Sequence, residues 1–152
     1  MLLEIVQVGD PVLRKKCESV KTFDETLWKL LDDMKETLKN AEGAGLAAPQ
    51  VNVPIRAVLV DVEEGFFELI NPVFVWQKGE QTGEEACLSV RGRSGIVTRP
   101  NKVKVIFQDR YGVKCSLVAR DFFARAICHE CDHLDGVLYL DKASEMRRNE
   151  EI

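Results

Sequence analysis

The only two histidines in the chain stand four residues apart, in His129-Glu130-Cys131-Asp132-His133. On a helix that spacing sets the imidazoles one turn apart, about 40° round the axis from each other. Both can therefore meet one metal ion. Glu130 lies between them, where a carboxylate can take a proton from water activated by that ion. The approach through Phe122, Phe123, Ala126 and Ile127 is apolar. It points to a buried helix rather than a solvated face carrying two hydrated histidines.

Two imidazoles and a water leave one coordination position to fill. Zinc proteases with this motif use a Glu or a further His, and there is no third His here. Cys87 is one candidate, a lone cysteine in an irregular loop between Glu85 and Ser89. Asp141 and Glu145 are downstream carboxylate alternatives. Cys128 and Cys131 spell C-x-x-C, but Cys17, Cys87 and Cys115 are too scattered to supply a second close pair for a zinc knuckle. On a helix both point away from the direction shared by His129 and His133, so they read as small core residues.

The motif needs a scaffold. Leu27, Leu30, Leu31, Met34 and Leu38 recur at helical spacing, and Thr22 with Glu25 fits a capping box, so a first amphipathic helix is predicted from about Glu25 to Asn40. A small-residue loop, Glu42 to Gln50, ends it. Four β-like segments follow: Arg56 to Val62, Phe66 to Ile70, Lys102 to Phe107 and Val113 to Val118. Asp109 to Gly112 reads as a hairpin turn joining the last two. Gly79 to Pro100 shows little regular pattern. The second helix opens with Asp121 as N-cap, carries the two histidines and stops near Gly136. An apolar Val137 to Leu140 segment and a charged tail close the chain. The predicted fold class is α+β, with antiparallel β-strands around a central helix carrying H-E-x-x-H and another helix near the N-terminus.

Length and composition agree. The chain has 152 residues, the size of one domain with one core, with 45% hydrophobic and 30% charged residues. Residues 1–152 are read as a single catalytic domain. A net charge of −4 argues against a dedicated nucleic-acid binder held by phosphate contacts, and no direct sequence-specific nucleic-acid partner is expected, though a small basic patch remains compatible with it. Glu4 and Asp10 interrupt the N-terminal apolar residues, so no signal peptide is expected. No apolar run of about eighteen residues suggests a membrane span. Five cysteines without a secretion signal indicate reduced thiols and a cytoplasmic location.

Three separated segments together resemble one family, the peptide deformylases. Gly43-Ala44-Gly45-Leu46-Ala47-Ala48-Pro49-Gln50 is similar to its first motif, a Gly-x-Gly-Leu-Ala-Ala-x-Gln loop. Glu85-Ala86-Cys87-Leu88-Ser89 resembles its second, usually Glu-Gly-Cys-Leu-Ser. His129 to His133 with Leu134-Asp135-Gly136 resembles its third. The order and spacing fit, Gly9-Asp10-Pro11-Val12-Leu13-Arg14 has the family look, and the likeness spans nearly the whole chain.

The resemblance implies the roles. Cys87, His129 and His133 would hold one divalent metal ion, generally ferrous iron in this family, with zinc or nickel able to occupy the site. Glu130 would serve as general base and then acid. Gln50, through its side-chain amide, and Leu88, through its backbone N–H, would stabilise the oxyanion. The substrate would be the N-formylmethionyl end of a nascent chain. Gly45 and Ala86 would pair with its backbone as an added strand. Ala44 and Phe122 would help line the methionine pocket. Arg99 is expected to pair with Glu85 and hold the metal loop. Deformylases can dock on the ribosome through a C-terminal segment, but the tail from Met146 offers two arginines only, and a solvated end is the expectation.

The chain departs from the pattern on the substrate side. Ala86 stands where Gly is usual, Arg91 where Pro is common, and Ser94 where many members carry an Arg that touches substrate, with Arg93 one step away. Two other readings follow: a metallopeptidase cutting internal amides, and a deformylase-like paralogue that binds N-termini without efficient turnover.

Overall fold

The apolar stripe of the first helix becomes α1, Glu25–Asn40. Leu27, Leu31, Met34 and Leu38 are buried on one face, against Leu46, Leu59 and Ile70. Full burial of such side chains is worth roughly 1.5–3 kcal/mol each. The start differs in detail from the expected capping box. Asp24 is the N-cap, accepting from the Leu27 backbone N–H at 3.3 Å. The helix ends as predicted before the small-residue loop, with Glu42 at φ 56° and the Gly43 N–H bonded to the Leu38 carbonyl.

The computed structural model of the chain describes residues 1–148. Among the described residues, eight strands, all paired antiparallel, form two sheets. β1 (Gly45–Ala47), β2 (Ala57–Val62), β3 (Gly65–Lys78), β6 (Lys102–Gln108) and β7 (Lys114–Arg120) make a five-stranded sheet in the order β1-β2-β3-β6-β7. β4 (Gln81–Cys87), β5 (Val90–Arg99) and β8 (Glu145–Arg148) make the other, in the order β4-β5-β8. The four expected strands are β2, β3, β6 and β7, with β3 running on to Lys78. Asp109 to Gly112 is the turn between β6 and β7. It is held by Asp109 Oδ1, which accepts from the Tyr111 and Val113 N–H groups.

The hairpin of β4 and β5 occupies the stretch read as irregular. Its buried positions hold Glu85, Ser94 and Arg99 as well as Val90 and Val97, so no apolar–polar alternation marks it in the sequence. β8 was likewise unforeseen: all four of its residues are exposed and it adds to the edge of β5. The remaining tail residues, 149–152, lie outside the described residues.

α2, Asp121–His133, packs on the face of the five-stranded sheet opposite α1, burying Phe123, Ala124 and Ile127 among Val58, Val60, Leu69, Val103 and Val105. Asp121 is not its cap. The residue before it, Arg120, is extended, and no side chain caps this terminus. Asp121 itself takes φ 54°, held by its N–H on the Asn101 carbonyl and by Gln81 Nε2 on its own carbonyl. Gly136 is the stop, at φ +74°, where a Cβ would also meet the Arg14 carbonyl. Beyond it Leu138 and Tyr139 are buried, the latter in a 3₁₀ turn, Tyr139–Asp141.

Candidate metal centre and active site

α2 is the element that aims the chemistry. His129 and His133 lie one turn apart with ring centroids 5.3 Å from each other. The turn between β4 and β5 brings Cys87 to them from 46 residues away, with its Sγ 3.5 Å from His133 Nε2. One donor atom from each of Cys87, His129 and His133 lies within 4.8 Å of the other two. This is the one such cluster of three among the described residues. Asp141 and Glu145, the carboxylate alternatives, are elsewhere: Asp141 pairs with Arg14, and Glu145 is exposed on β8 beside Arg147.

The ring of His129 is oriented from behind. Its Nδ1 lies 2.8 Å from Glu85 Oε1, which leaves Nε2 for the cluster. Both Glu85 oxygens also take Arg99, from Nε and Nη2 at 2.9 Å, and Arg125 Nη1 donates to Oε2 at 2.5 Å. The predicted Arg99–Glu85 pair is thus present, and Arg99 reaches on to Asp132 at 2.6 Å. Burial alone would raise the Glu85 carboxyl, but hydrogen bonds from His129 and Arg99 bring it down to about 2. Burial works against a charge on His129, yet the field of Glu130, with Cys87 and Glu85, lifts it to about 10. His133 goes the other way, depressed by burial and by the nearby His129. The donor set of a thiol and two imidazoles suits zinc, iron or nickel.

Glu130 is 5% exposed, and its Oε1 has no hydrogen-bond partner. Burial raises its carboxyl to about 7. Gly45 on β1 packs against it. A Cβ there would stand 2.7 Å from Glu130 Cγ and 2.8 Å from Cδ, so glycine is needed for space. The 3₁₀ turn Ala48–Val51 buries Gln50. Its Oε1 accepts from the Ala47 N–H at 2.8 Å, which turns Nε2 toward Ser89 Oγ at 3.0 Å and Cys87 Sγ at 3.5 Å.

These groups open onto a cleft of about 500 Å³ lined by Ala44, Gly45, Ala86, Leu88 and Phe122 together with Gln50, Cys87, His129 and Glu130. The structure thus brings every sequence-predicted site residue to one place: all of them line the cleft but His133, which joins the donor cluster beside Cys87. β1 and β4 are each the outermost strand of their sheet, and Gly45 and Ala86 stand on those two edges. Ala86 does not take a positive φ, so the backbone here tolerates its methyl. Arg91 and Arg93 line the rim, whereas Ser94 is buried.

A model of the polypeptide deformylase family matches residues 2–149. The chain belongs to that family. Among the relatives, the peptide deformylase of Caldicellulosiruptor bescii is 50% identical over 151 residues, covering 99% of this chain and 91% of its own. That of Caldanaerobacter subterraneus is 49% identical, covering 97% and 93%. The crystal structure of the Thermotoga maritima deformylase superposes with a TM-score of 0.93 at 37% identity, covering 95% of this chain and 99% of that one.

Sequence reasoning missed three contributors to this deformylase-type site. Arg125 stands four residues before His129, on the same face of α2, and that spacing was its available signal. Tyr139 stacks on the His129 ring at 5.8 Å. The N-terminal segment, read as irregular, joins the two motif loops. The Val6 N–H donates to the Gln50 carbonyl and the Val8 N–H to the Ser89 carbonyl, and Gln7 Nε2 donates to the Leu88 carbonyl at 2.9 Å. Cys128 and Cys131 are free, buried core thiols, as expected, and burial pushes Cys128 up to about 11.

Proposed function

We propose that this chain hydrolyses the formamide bond at the N-formylmethionyl end of nascent polypeptides, with Cys87, His129 and His133 holding one divalent cation, ferrous iron first and zinc or nickel as substitutes. The observation that carries the proposal is the convergence of those three donors within 4.8 Å beside the unpartnered oxygen of Glu130. When bound, the cation polarises the formyl carbonyl and makes water a nucleophile near neutral pH.

The chain's own groups do the rest. The Glu130 carboxylate takes a proton from the attacking water. It then delivers that proton to the amine nitrogen as the C–N bond breaks, leaving formate and a free N-terminus. Gln50 Nε2 and the Leu88 backbone N–H donate to the oxygen that becomes negative, and removing one such donor typically costs about 3 kcal/mol of barrier. Burial keeps water away from these dipoles and strengthens them. Gly45 and Ala86 offer two strand edges between which an extended peptide end can lie. Ala44 and Phe122 supply apolar surface for the methionine side chain.

Residues 1–152 act as one catalytic unit in this reading. The free cysteines fit a reducing cytoplasm, where nascent chains are made. No helix of the described residues is long and apolar enough to cross a membrane. Arg147 pairs with Glu84 and Glu145, which favours β8 laid on β5 over a strand held free for the ribosome.

The test is formate release from a formyl-Met-Ala-Ser peptide by protein loaded with ferrous iron without air, because oxygen would oxidise the iron or Cys87. Release that stops with a chelator and returns with metal is expected. Binding of the formyl peptide without formate would leave a non-catalytic paralogue. Cleavage of unformylated peptides would make the chain a metallopeptidase.

A further inference from the structure

Away from the cleft, α1 covers the face of the five-stranded sheet over β1, β2 and the first half of β3. The same face of β7, β6 and the end of β3 is bare. Val73, Ile106 and Val118 are 57%, 44% and 46% exposed there. Strand register sets its side chains in rows. Lys78, Lys102 and Arg120 form the outermost row. Trp76, Lys104 and Val118 form the next. Val73, Ile106 and Ser116 form the third, and Lys114 closes the face beside Gln108.

Five cations thus share one face on which no row position holds an Asp or Glu, in a chain whose net charge is −4. Among the described residues, none of the five forms a salt bridge. The first row sets three like charges directly opposite one another, an arrangement that destabilises a sheet unless an anion neutralises it. Lys78 and Lys102 lie over the Trp76 ring, 4.6 and 5.7 Å from its centroid, so the indole sits among the charges.

We propose that this face binds single-stranded nucleic acid without sequence preference, the lysines and Arg120 taking phosphates and Trp76 taking a base. A sheet face with cations in successive rows and an aromatic among them is the arrangement that tracks a phosphodiester chain and stacks its bases. An anionic membrane fits less well. Its binding calls for an apolar face pushed several ångströms into the lipid boundary, whereas here Val73, Ile106 and Val118 share their face with five cations. The face is on the side of the sheet away from α2, so a strand bound there leaves the cleft open to peptide.

The test is fluorescence anisotropy of a labelled twelve-nucleotide oligouridine on the metal-loaded protein, from 50 to 200 mM salt. Five phosphate contacts predict a slope of log K against log salt of about −3.5, at roughly −0.7 per contact. In Lys102→Gln/Lys104→Gln the slope falls to about −2 and affinity at 50 mM drops at least tenfold. In Trp76→Leu affinity drops about tenfold with the slope kept, since stacking carries no counterions. Formate release from formyl-Met-Ala-Ser stays at the parent rate in all of them, showing that they fold. An oligothymidine that binds equally assigns the contacts to phosphate and base, and weaker binding of it assigns the 2′-hydroxyl a share. No binding of the oligonucleotides at 50 mM salt overturns the proposal. So does a slope that the double substitution leaves unchanged, or binding confined to phosphatidylglycerol vesicles.

Discussion

Glu85 and His129 meet at 2.8 Å across 44 residues of chain, the carboxylate on β4 fixing the imidazole on α2 while Arg99 and Arg125 hold the carboxylate. A carboxylate behind a ligating histidine sets its tautomer and raises its basicity, and its loss typically lowers metal affinity about 10–100-fold. Glu85→Gln should show that drop in a chelator competition. It should also lose roughly 3–5 kcal/mol of stability, because Arg125 stays buried without its counter-charge and Arg99 keeps only Asp132. Unchanged metal affinity would remove Glu85 from the orientation of the site.

Glu130 lies on the same turn of α2 but faces the cleft, with one oxygen unpartnered. Glu130→Gln keeps the shape and removes the proton carrier. The expected result is a fall in kcat of about 10²–10⁴ with metal content unchanged. Full metal occupancy with parent-like kcat would mean that another group moves the proton.

The sequence exposes most of this site because its key groups are local or unusual. Four-residue spacing on an apolar helix marks His129, Glu130 and His133, and the loop motifs mark Gln50 and Cys87. What stays hidden is long-range. The inward positions of β4 and β5 hold Glu85 and Arg99, charged groups that pair with each other and with α2, so the hairpin lacks the alternation that announces a strand. Arg125 looks like a surface residue until Glu85 and the Val97 carbonyl are placed against it. The segment around Gln7 has no regular structure to predict, because its hydrogen bonds go to the Gln50 and Leu88 loops rather than to a ladder.

Arg14 and Asp141 tie the N-terminal turn to the segment after α2, at 2.5 Å. The Arg14 hydrogen bond depresses the Asp141 carboxyl below the usual carboxylate value, helped by the Leu138 N–H. A depressed folded pKa gives stability that is present above the unfolded value, about 3.9, and lost as pH falls through the folded one. Solvent screens a pair this exposed, so the effect is small. Thermal midpoints of parent and Asp141→Asn should differ at pH 7, and the gap should shrink as pH falls below about 3.9. A gap that does not shrink on acidification would assign the loss to packing.

Gly45 gives the sharpest prediction about space. Its backbone needs no positive φ, so Gly45→Ala brings no conformational strain, only a methyl 2.7 Å from Glu130 Cγ. Either β1 moves outward or Glu130 turns. Both disturb a carboxylate that must reach water on one side and the leaving nitrogen on the other, and a displacement of about 1 Å can cost roughly 10²-fold in rate. The three atoms nearest the added methyl all belong to Glu130, which is not among the donors that converge on the cation, so metal content should hold while kcat/KM falls by about that factor. Pairing Gly45→Ala with Glu130→Asp, which shortens the crowding side chain, separates the two causes. If the methyl acts through the carboxylate, adding it to Glu130→Asp lowers activity much less than adding it to the parent. If it acts by moving the strand edge that receives the peptide, the same loss appears in both backgrounds, mostly as a higher KM.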